Sequence, residues 1–248
     1  MSLIIHTIVK GGLVVSVDTR TTCKDDKGNT RYNDTAEKLI PFPNRIVVTH
    51  SGDATVTDKL TVTDFLLQFR KKCGKKTMMA ELPLKLLNEY ISACNGHCKD
   101  TYFKVSGYDE VNMLRCRTYT IKTKDKQIVL SRNPFDYGAS FDGAIDMAYS
   151  LMNGATYANM SLAEAIDLTN VAMIASIDAY KYQPAQIIGG NIKTYVIDIS
   201  NDESGWLIDN QLVADKNAPD DAIQQYREQQ TKRLIQQMNK QKSKKGTN

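Results

Sequence analysis

At 248 residues, with 42% apolar and 24% charged side chains, the chain has the composition of a folded globular protein and enough length to bury a sizeable core. No apolar run approaches the roughly 20 residues of a membrane span, and the start shows no basic n-region followed by an apolar stretch, so the expectation is a cytoplasmic protein without a signal peptide. The net charge of +4 is carried by the end of the chain: residues 218–248 hold seven Lys/Arg against three Asp/Glu, so residues 1–217 sum to zero, and the domain itself is not expected to offer a nucleic-acid-binding face.

Residues 3–9 and 13–17 read as strands rich in Ile and Val, joined tightly at Lys10-Gly11-Gly12. A polar loop follows that can carry a short strand, and then "KLIPF" and "RIVVTH" read as two more strands around a Pro-Asn turn. "SGDATVTDKLTVTDFLLQFRKK" passes from strand into helix, with Leu60, Phe65, Leu66 and Phe69 as its apolar stripe and Arg70-Lys71-Lys72 at its end. A second helix is expected over about 79–95 from the spacing of Leu82, Leu86 and Tyr90. The stretch 102–131 alternates as strands do. Residues 140–152 read as a third helix, and Ser161 to Glu164 is a capping box opening a fourth that runs to about Asp178. "IKTYVIDIS" and "GWLIDN" close the domain as a strand pair, and the tail 218–248 is a Gln- and Lys-rich helix or disordered end.

The order is strands, two helices, strands, two helices, strands. Two strand blocks, each folding into a sheet, pack most economically face to face with helices outside: an α+β, four-layer αββα sandwich formed by residues 1–217 as a single domain.

The five cysteines, Cys23, Cys73, Cys94, Cys98 and Cys116, are odd in number and irregular in spacing, which favours reduced thiols. "CNGHC" at 94–98 lacks the second ligand pair that a zinc site needs, so no metal is expected there. By strand alternation His6 shares a face with Ser2 and Ile4, where a structural histidine is the favoured reading.

"GGLVVSVDTR" resembles the second strand of proteasome β-subunits and of their bacterial relatives HslV and Anbu, which are N-terminal nucleophile (Ntn) hydrolases with an αββα fold. The resemblance extends over about residues 2–210, with "MSLAEAIDL" and "IGGNIKTYVID" as further points of likeness. In that family the first residue of the mature chain is the nucleophile and stands sixteen positions before the strand aspartate; sixteen before Asp18 is Ser2. The active-site lysine falls on Lys38 in "AEKLIPF", and the oxyanion glycine, fourteen residues later at a strand-to-helix passage, falls on Gly52. The loop between Asp18 and Lys38 is about four residues longer than is usual in the family. The resemblance further implies a supporting serine before the third helix, for which "YGASFDG" offers Ser140, with ungapped counting from the fourth helix leaving Ser140 and Ala139 both open. It implies a second supporting aspartate at the end of the fourth helix, where this chain has Tyr180 with Asp178 two residues earlier. Substrate-binding positions map to Thr21, Thr22 and His50, with His50 equally readable as a histidine satisfied internally.

A serine hydroxyl is a weak nucleophile at neutral pH and needs a base beside it. The α-amine of a chain beginning at Ser2, once Met1 is removed, has an ordinary pKa near 8 and can serve. What the resemblance implies is a cofactor-free peptidase acting on peptide or protein substrates inside a homo-oligomeric ring, with an ATP-dependent unfoldase as a conceivable partner. The alternatives are a catalytically silent ring subunit and a non-proteolytic Ntn amidase.

Overall fold

The structure, a computed structural model, describes residues 2–24, 29–74, 77–109, 112–132, 136–183, 186–209 and 211–214. Strands β1 (Leu3–Val9) and β2 (Gly12–Asp18) form a hairpin through Lys10 and Gly11. Every residue of both is buried, as expected for strands covered on two faces, and this explains their unbroken apolar character. The polar segment that follows carries β3 (Thr21–Lys24) and β4 (Thr30–Asn33), after which come β5 (Leu39–Phe42) and β6 (Ile46–Gly52).

A small hairpin, β7 (Thr55–Thr57) with β8 (Leu60–Thr61), leads into α1 (Val62–Lys72). Thr61 caps α1 by accepting the Asp64 N–H at 3.0 Å, and Arg70, Lys71 and Lys72 face the negative end of its dipole. Helix α2 (Leu82–Ala93) buries the predicted stripe of Leu82, Leu86 and Tyr90. Strands β9 (Thr101–Asp109), β10 (Asn112–Lys122), β11 (Gln127–Arg132) and β12 (Gly138–Gly143) precede α3 (Asp146–Met152). Helix α4 (Leu162–Lys181) opens on the predicted box: Ser161 Oγ accepts the Glu164 N–H at 3.2 Å, and the Glu164 carboxylate accepts the Ser161 N–H at 2.8 Å. Strands β13 (Ile192–Asp198), β14 (Glu203–Ile208) and β15 (Gln211–Ala214) complete the described chain. The tail 218–248 lies outside the described residues.

One element differs in kind from the sequence expectation. Residues 140–143 belong to strand β12 rather than to the third helix, which starts only at Asp146. The reason is tertiary. β2 pairs with one side of β1, and β12 supplies the partner on the other, matching Ile5 to Phe141 and Leu3 to Gly143. A sheet edge that would otherwise lack partners overrides the weak local preference of "GASFDG".

The strands form a six-stranded sheet in the order β12-β1-β2-β13-β14-β15 and a five-stranded sheet in the order β11-β10-β9-β6-β5. α1 and α2 share an apolar cluster with the five-stranded sheet, where Phe65, Tyr90 and Phe103 meet edge to face or tilted. α3 and α4 share another with the six-stranded sheet through Leu3, Ile5, Met152, Met173 and Ile177. A third cluster joins the two sheets, with Ile4, Ile8, Leu13, Val15 and Val17 against Leu39, Val47, Tyr108 and Cys116. Because β1 alternates, its odd positions meet the α3–α4 pair while Ile4 and Ile8 meet the other sheet. Ser2 stands at the head of this strand. Among the described residues no helix is long and apolar enough to cross a membrane.

Candidate active site

Ser2 is 6% exposed and fixed by its backbone: its carbonyl accepts the Ala144 N–H at 2.8 Å, where the chain leaves β12. Gly143 has φ +88°, and a Cβ there would lie 1.6 Å from the Ser2 carbonyl oxygen, so only glycine allows the two chains this approach.

Asp18 ends β2 and is fully buried. Its Oδ1 accepts the Leu3 N–H and the Lys38 ammonium, each at 2.8 Å, and its Oδ2 accepts the backbone N–H groups of Arg20 at 3.3 Å and Gly189 at 3.2 Å. One carboxylate thus ties the start of β1 to the residue leading into β5. Lys38 is 3% exposed and donates a second time to the Arg20 carbonyl. Burial depresses the Lys38 ammonium below its ordinary pKa, and the adjoining Asp18 charge opposes that only in part. Removing either partner would leave the other charge buried and alone.

Gly52 ends β6 in the left-handed region, φ +83°, and a Cβ there would meet the Asp100 carbonyl oxygen at 2.2 Å. Here the structure corrects the sequence reading. Gly52 does not stand at a helix N-terminus: β7 and β8 intervene, and α1 begins only at Val62. Any donor strength of the Gly52 N–H therefore owes nothing to a helix dipole.

Ser2, Arg20, Thr21, Thr22, Lys38, His50, Ser51, Gly52, Asp53 and Ala54 line one cavity of about 120 Å³. Residues far apart in sequence, and named from spacing, come to one place here. A larger cavity of about 430 Å³ between α1 and α2 holds none of them. His50 is 7% exposed; its Nε2 lies 3.0 Å from the Glu37 carbonyl and 3.4 Å from Thr63 Oγ1. Burial lowers its pKa to about 4, so the ring is neutral at pH 7. His50 is hydrogen-bonded within the protein and also lines the cavity.

Two predicted supporting positions stand elsewhere. Ser140 pairs with His6 across β12 and β1, and its Oγ accepts from Lys104 Nζ at 3.0 Å; it is not among the residues lining the cavity. Asp178 is exposed and paired with Lys181, while Tyr180 is buried in the α3–α4 cluster. Instead of a carboxylate from the end of α4, the Gly189 N–H reaches Asp18 from the loop before β13.

Further residues join the site that the sequence did not point to. Arg20 makes a two-pronged contact with Asp34 at 2.7 and 2.8 Å, lies 4.8 Å over the Tyr32 ring, and so fastens β3 and β4 beside the cavity. Ser51 Oγ donates to Asp142 at 2.6 Å, joining the end of β6 to β12. The Arg20–Asp34 pair was accessible in principle from "DTR…ND", two opposite charges flanking a loop; Asp142 and Ser51 carry no local signal.

His6 is a structural residue. It is fully buried, with Nδ1 2.6 Å from Ser106 Oγ and Nε2 2.9 Å from Thr49 Oγ1, and burial together with Lys104 holds its pKa well below the ordinary value. The five cysteines are free thiols, with Cys94 and Cys98 sulfurs 3.1 Å apart. Among the described residues no group of three or more His, Cys, Asp or Glu could hold a metal ion.

No family model matches the sequence, and no curated protein does. Solved structures do match. Anbu (ancestral beta-subunit) from Yersinia bercovieri superposes with a TM-score of 0.64 at 12% identity, covering 96% of each chain. An Anbu (Gly-1) mutant from Hyphomicrobium sp. strain MC1 superposes with a TM-score of 0.61 at 16% identity, covering 97% of each chain. Likeness at such identity speaks to backbone architecture alone, and over nearly the full length of both molecules this chain shares the fold of these two Anbu structures.

Proposed function

We propose that the protein is a cytoplasmic, proteasome-like Ntn peptidase, an αββα sandwich of four layers that works as a homo-oligomeric ring on peptide or protein substrates. The observation that carries this reading is the meeting of Ser2, Lys38 and Gly52 on one cavity, with Asp18 bonded to Lys38 at 2.8 Å behind it.

Removal of Met1 frees the α-amine of Ser2. That amine takes the Oγ–H proton, directly or through a water, while Oγ attacks the substrate carbonyl carbon. Lys38 keeps the local potential positive, which lowers the pKa of both amine and hydroxyl; Asp18 fixes the ammonium. The negative charge developing on the carbonyl oxygen faces the Gly52 N–H, a kind of donor worth about 3 kcal/mol of barrier. The tetrahedral intermediate collapses as the leaving amine takes the proton from the Ser2 ammonium, leaving an ester on Oγ. A water deprotonated by the same α-amine then hydrolyses that ester and restores the serine.

A second reading, a silent ring-forming subunit, is favoured by the exposed, Lys181-paired Asp178 and by Ser140 lying against Lys104. Hydrolysis of peptide-aminocoumarin reporters by the wild type, against Ser2→Ala and Lys38→Ala, separates the two. The peptidase reading expects turnover in the wild type alone; wild-type turnover in Ser2→Ala contradicts it.

A further inference from the structure

Away from the Ser2 cavity, two thiols meet at the end of α2. Cys94 follows the last residue of that helix and is 5% exposed, Cys98 is half-buried, and their sulfurs lie 3.1 Å apart. The turn between them sets this distance. Asn95 and Gly96 both have left-handed backbones, φ +49° and +80°, and the His97 N–H donates to the Cys94 carbonyl at 2.9 Å. Asn-Gly is well suited to two such residues in succession. The Gly96 N–H donates to the Ile91 carbonyl at 2.9 Å, anchoring the turn to the helix.

Cys98 leads directly into the segment that backs the end of β6. The Asp100 carbonyl accepts the Asp53 N–H at 3.0 Å, and the Asp100 N–H donates to the Asp53 carboxylate at 2.9 Å. Thr101 Oγ1 donates to the Asp53 carbonyl at 3.2 Å, and Lys99 Nζ donates to Thr55 Oγ1 at 2.7 Å. Gly52 pairs with Thr101 across the sheet. The backbone around Gly52 and Asp53 therefore rests on residues 99–101, which begin one residue after the second thiol.

We propose that Cys94 and Cys98 form a modification site, a dithiol that a small-molecule disulfide of the glutathione class converts reversibly into an intramolecular disulfide, tying the end of α2 to the segment that backs Gly52 and Asp53. Cys98, the more exposed of the two, loses its proton and attacks one sulfur of the oxidant, whose S–S bond breaks and whose other half leaves as a thiolate. Cys94 then loses its proton and attacks Cys98 Sγ, expelling the second half as another thiolate. The two protons go to the two leaving thiolates, and two electrons pass from the protein sulfurs to the oxidant. Burial raises the Cys98 thiol to about 11, so the first step is slow at pH 7 and the reduced pair persists. Proximity serves the second step, because the sulfurs need close by only about 1 Å to bond. In a reducing compartment a disulfide of this kind is transient and responds to the redox state around it.

The test incubates the full-length wild type with glutathione disulfide, blocks remaining thiols by alkylation and maps the digested protein by mass spectrometry. The expected product is a peptide linked between Cys94 and Cys98, opened again by dithiothreitol, while the exposed Cys23 carries a glutathione adduct. In Cys94→Ser the reaction stops at a glutathione adduct on Cys98, about tenfold more abundant than in the wild type. A lasting adduct on Cys98 in the wild type, or an unmodified pair once Cys23 has reacted fully, overturns the site. A second measurement compares amide hydrogen exchange in the oxidised and reduced wild type. Exchange of the Asp53 amide is expected to slow about threefold or more on oxidation, with the α4 amides unchanged; equal exchange at Asp53 in the two forms overturns the link to the end of β6. Both readouts are independent of peptide hydrolysis.

Discussion

The buried Asp18–Lys38 pair is where the energetics of this protein are most exposed to a single substitution. Lys38→Ala leaves the Asp18 carboxylate without its cation at zero exposure, and Asp18→Asn leaves the ammonium likewise. Each is expected to lower stability by roughly 3–5 kcal/mol, measured by urea unfolding at pH 7, and to reduce reporter hydrolysis below detection. His50 makes a pH prediction. Its folded pKa of about 4 lies below the unfolded 6.5, so between those values the unfolded chain binds the extra proton and stability rises with pH. The contribution is complete above pH 6.5 and is lost as pH falls through 6.5 towards 4, with a size of about 3 kcal/mol. His6 acts in the same direction. Unfolding free energy followed from pH 4 to 7 should climb steeply in the wild type and less steeply in His50→Gln; equal slopes would remove the assignment.

At the scale of elements, the most demanding junctions are the glycines where strands cross close to the site. Gly143→Ala would drive a methyl group into the Ser2 carbonyl and force a left-handed φ on a residue with a side chain. Roughly 2–4 kcal/mol of destabilisation and a loss of hydrolysis are expected, read by thermal unfolding and reporter turnover. Ser161→Ala supplies the contrast: losing the α4 cap should cost about 1 kcal/mol with turnover unchanged. These elements also show what could be read from the sequence. The capping box, the α2 stripe, the β1–β2 hairpin and the Phe65, Leu66 and Phe69 part of the α1 stripe are local signals and were legible, whereas Leu60, read as part of that stripe, belongs to β8. Strand β12 was not, because its pairing is dictated by the open side of β1, which lies far away in sequence, as in the pairing of Leu3 with Gly143. The break between Gly52 and α1 was missed for a related reason: two strands of three and two residues are too short to show a period.

Across the whole molecule, Ser2, Lys38 and Gly52, which the sequence analysis placed by counting, stand just before β1, just before β5 and at the end of β6, and they line one cavity. The longer loop after Asp18 is absorbed by β3 and β4, which lie outside both large sheets. What joins the sheets behind the site was illegible: His6 to Ser106 and Thr49, Lys104 to Ser140, and Ser51 to Asp142 are contacts between distant strands with no sequence pattern of their own. A ring assembly is expected from the proposed reading, and native mass spectrometry should give a closed multiple of the chain mass; a monomer at micromolar concentration would contradict it.

The central claim is that the free amine and hydroxyl of Ser2 perform the chemistry. Its most direct test is one sample divided between intact-mass measurement and reporter hydrolysis, alongside Ser2→Ala treated identically. Loss of Met1 together with turnover that disappears in Ser2→Ala is the result expected. Full turnover with Met1 still attached, or turnover retained in Ser2→Ala, would contradict it.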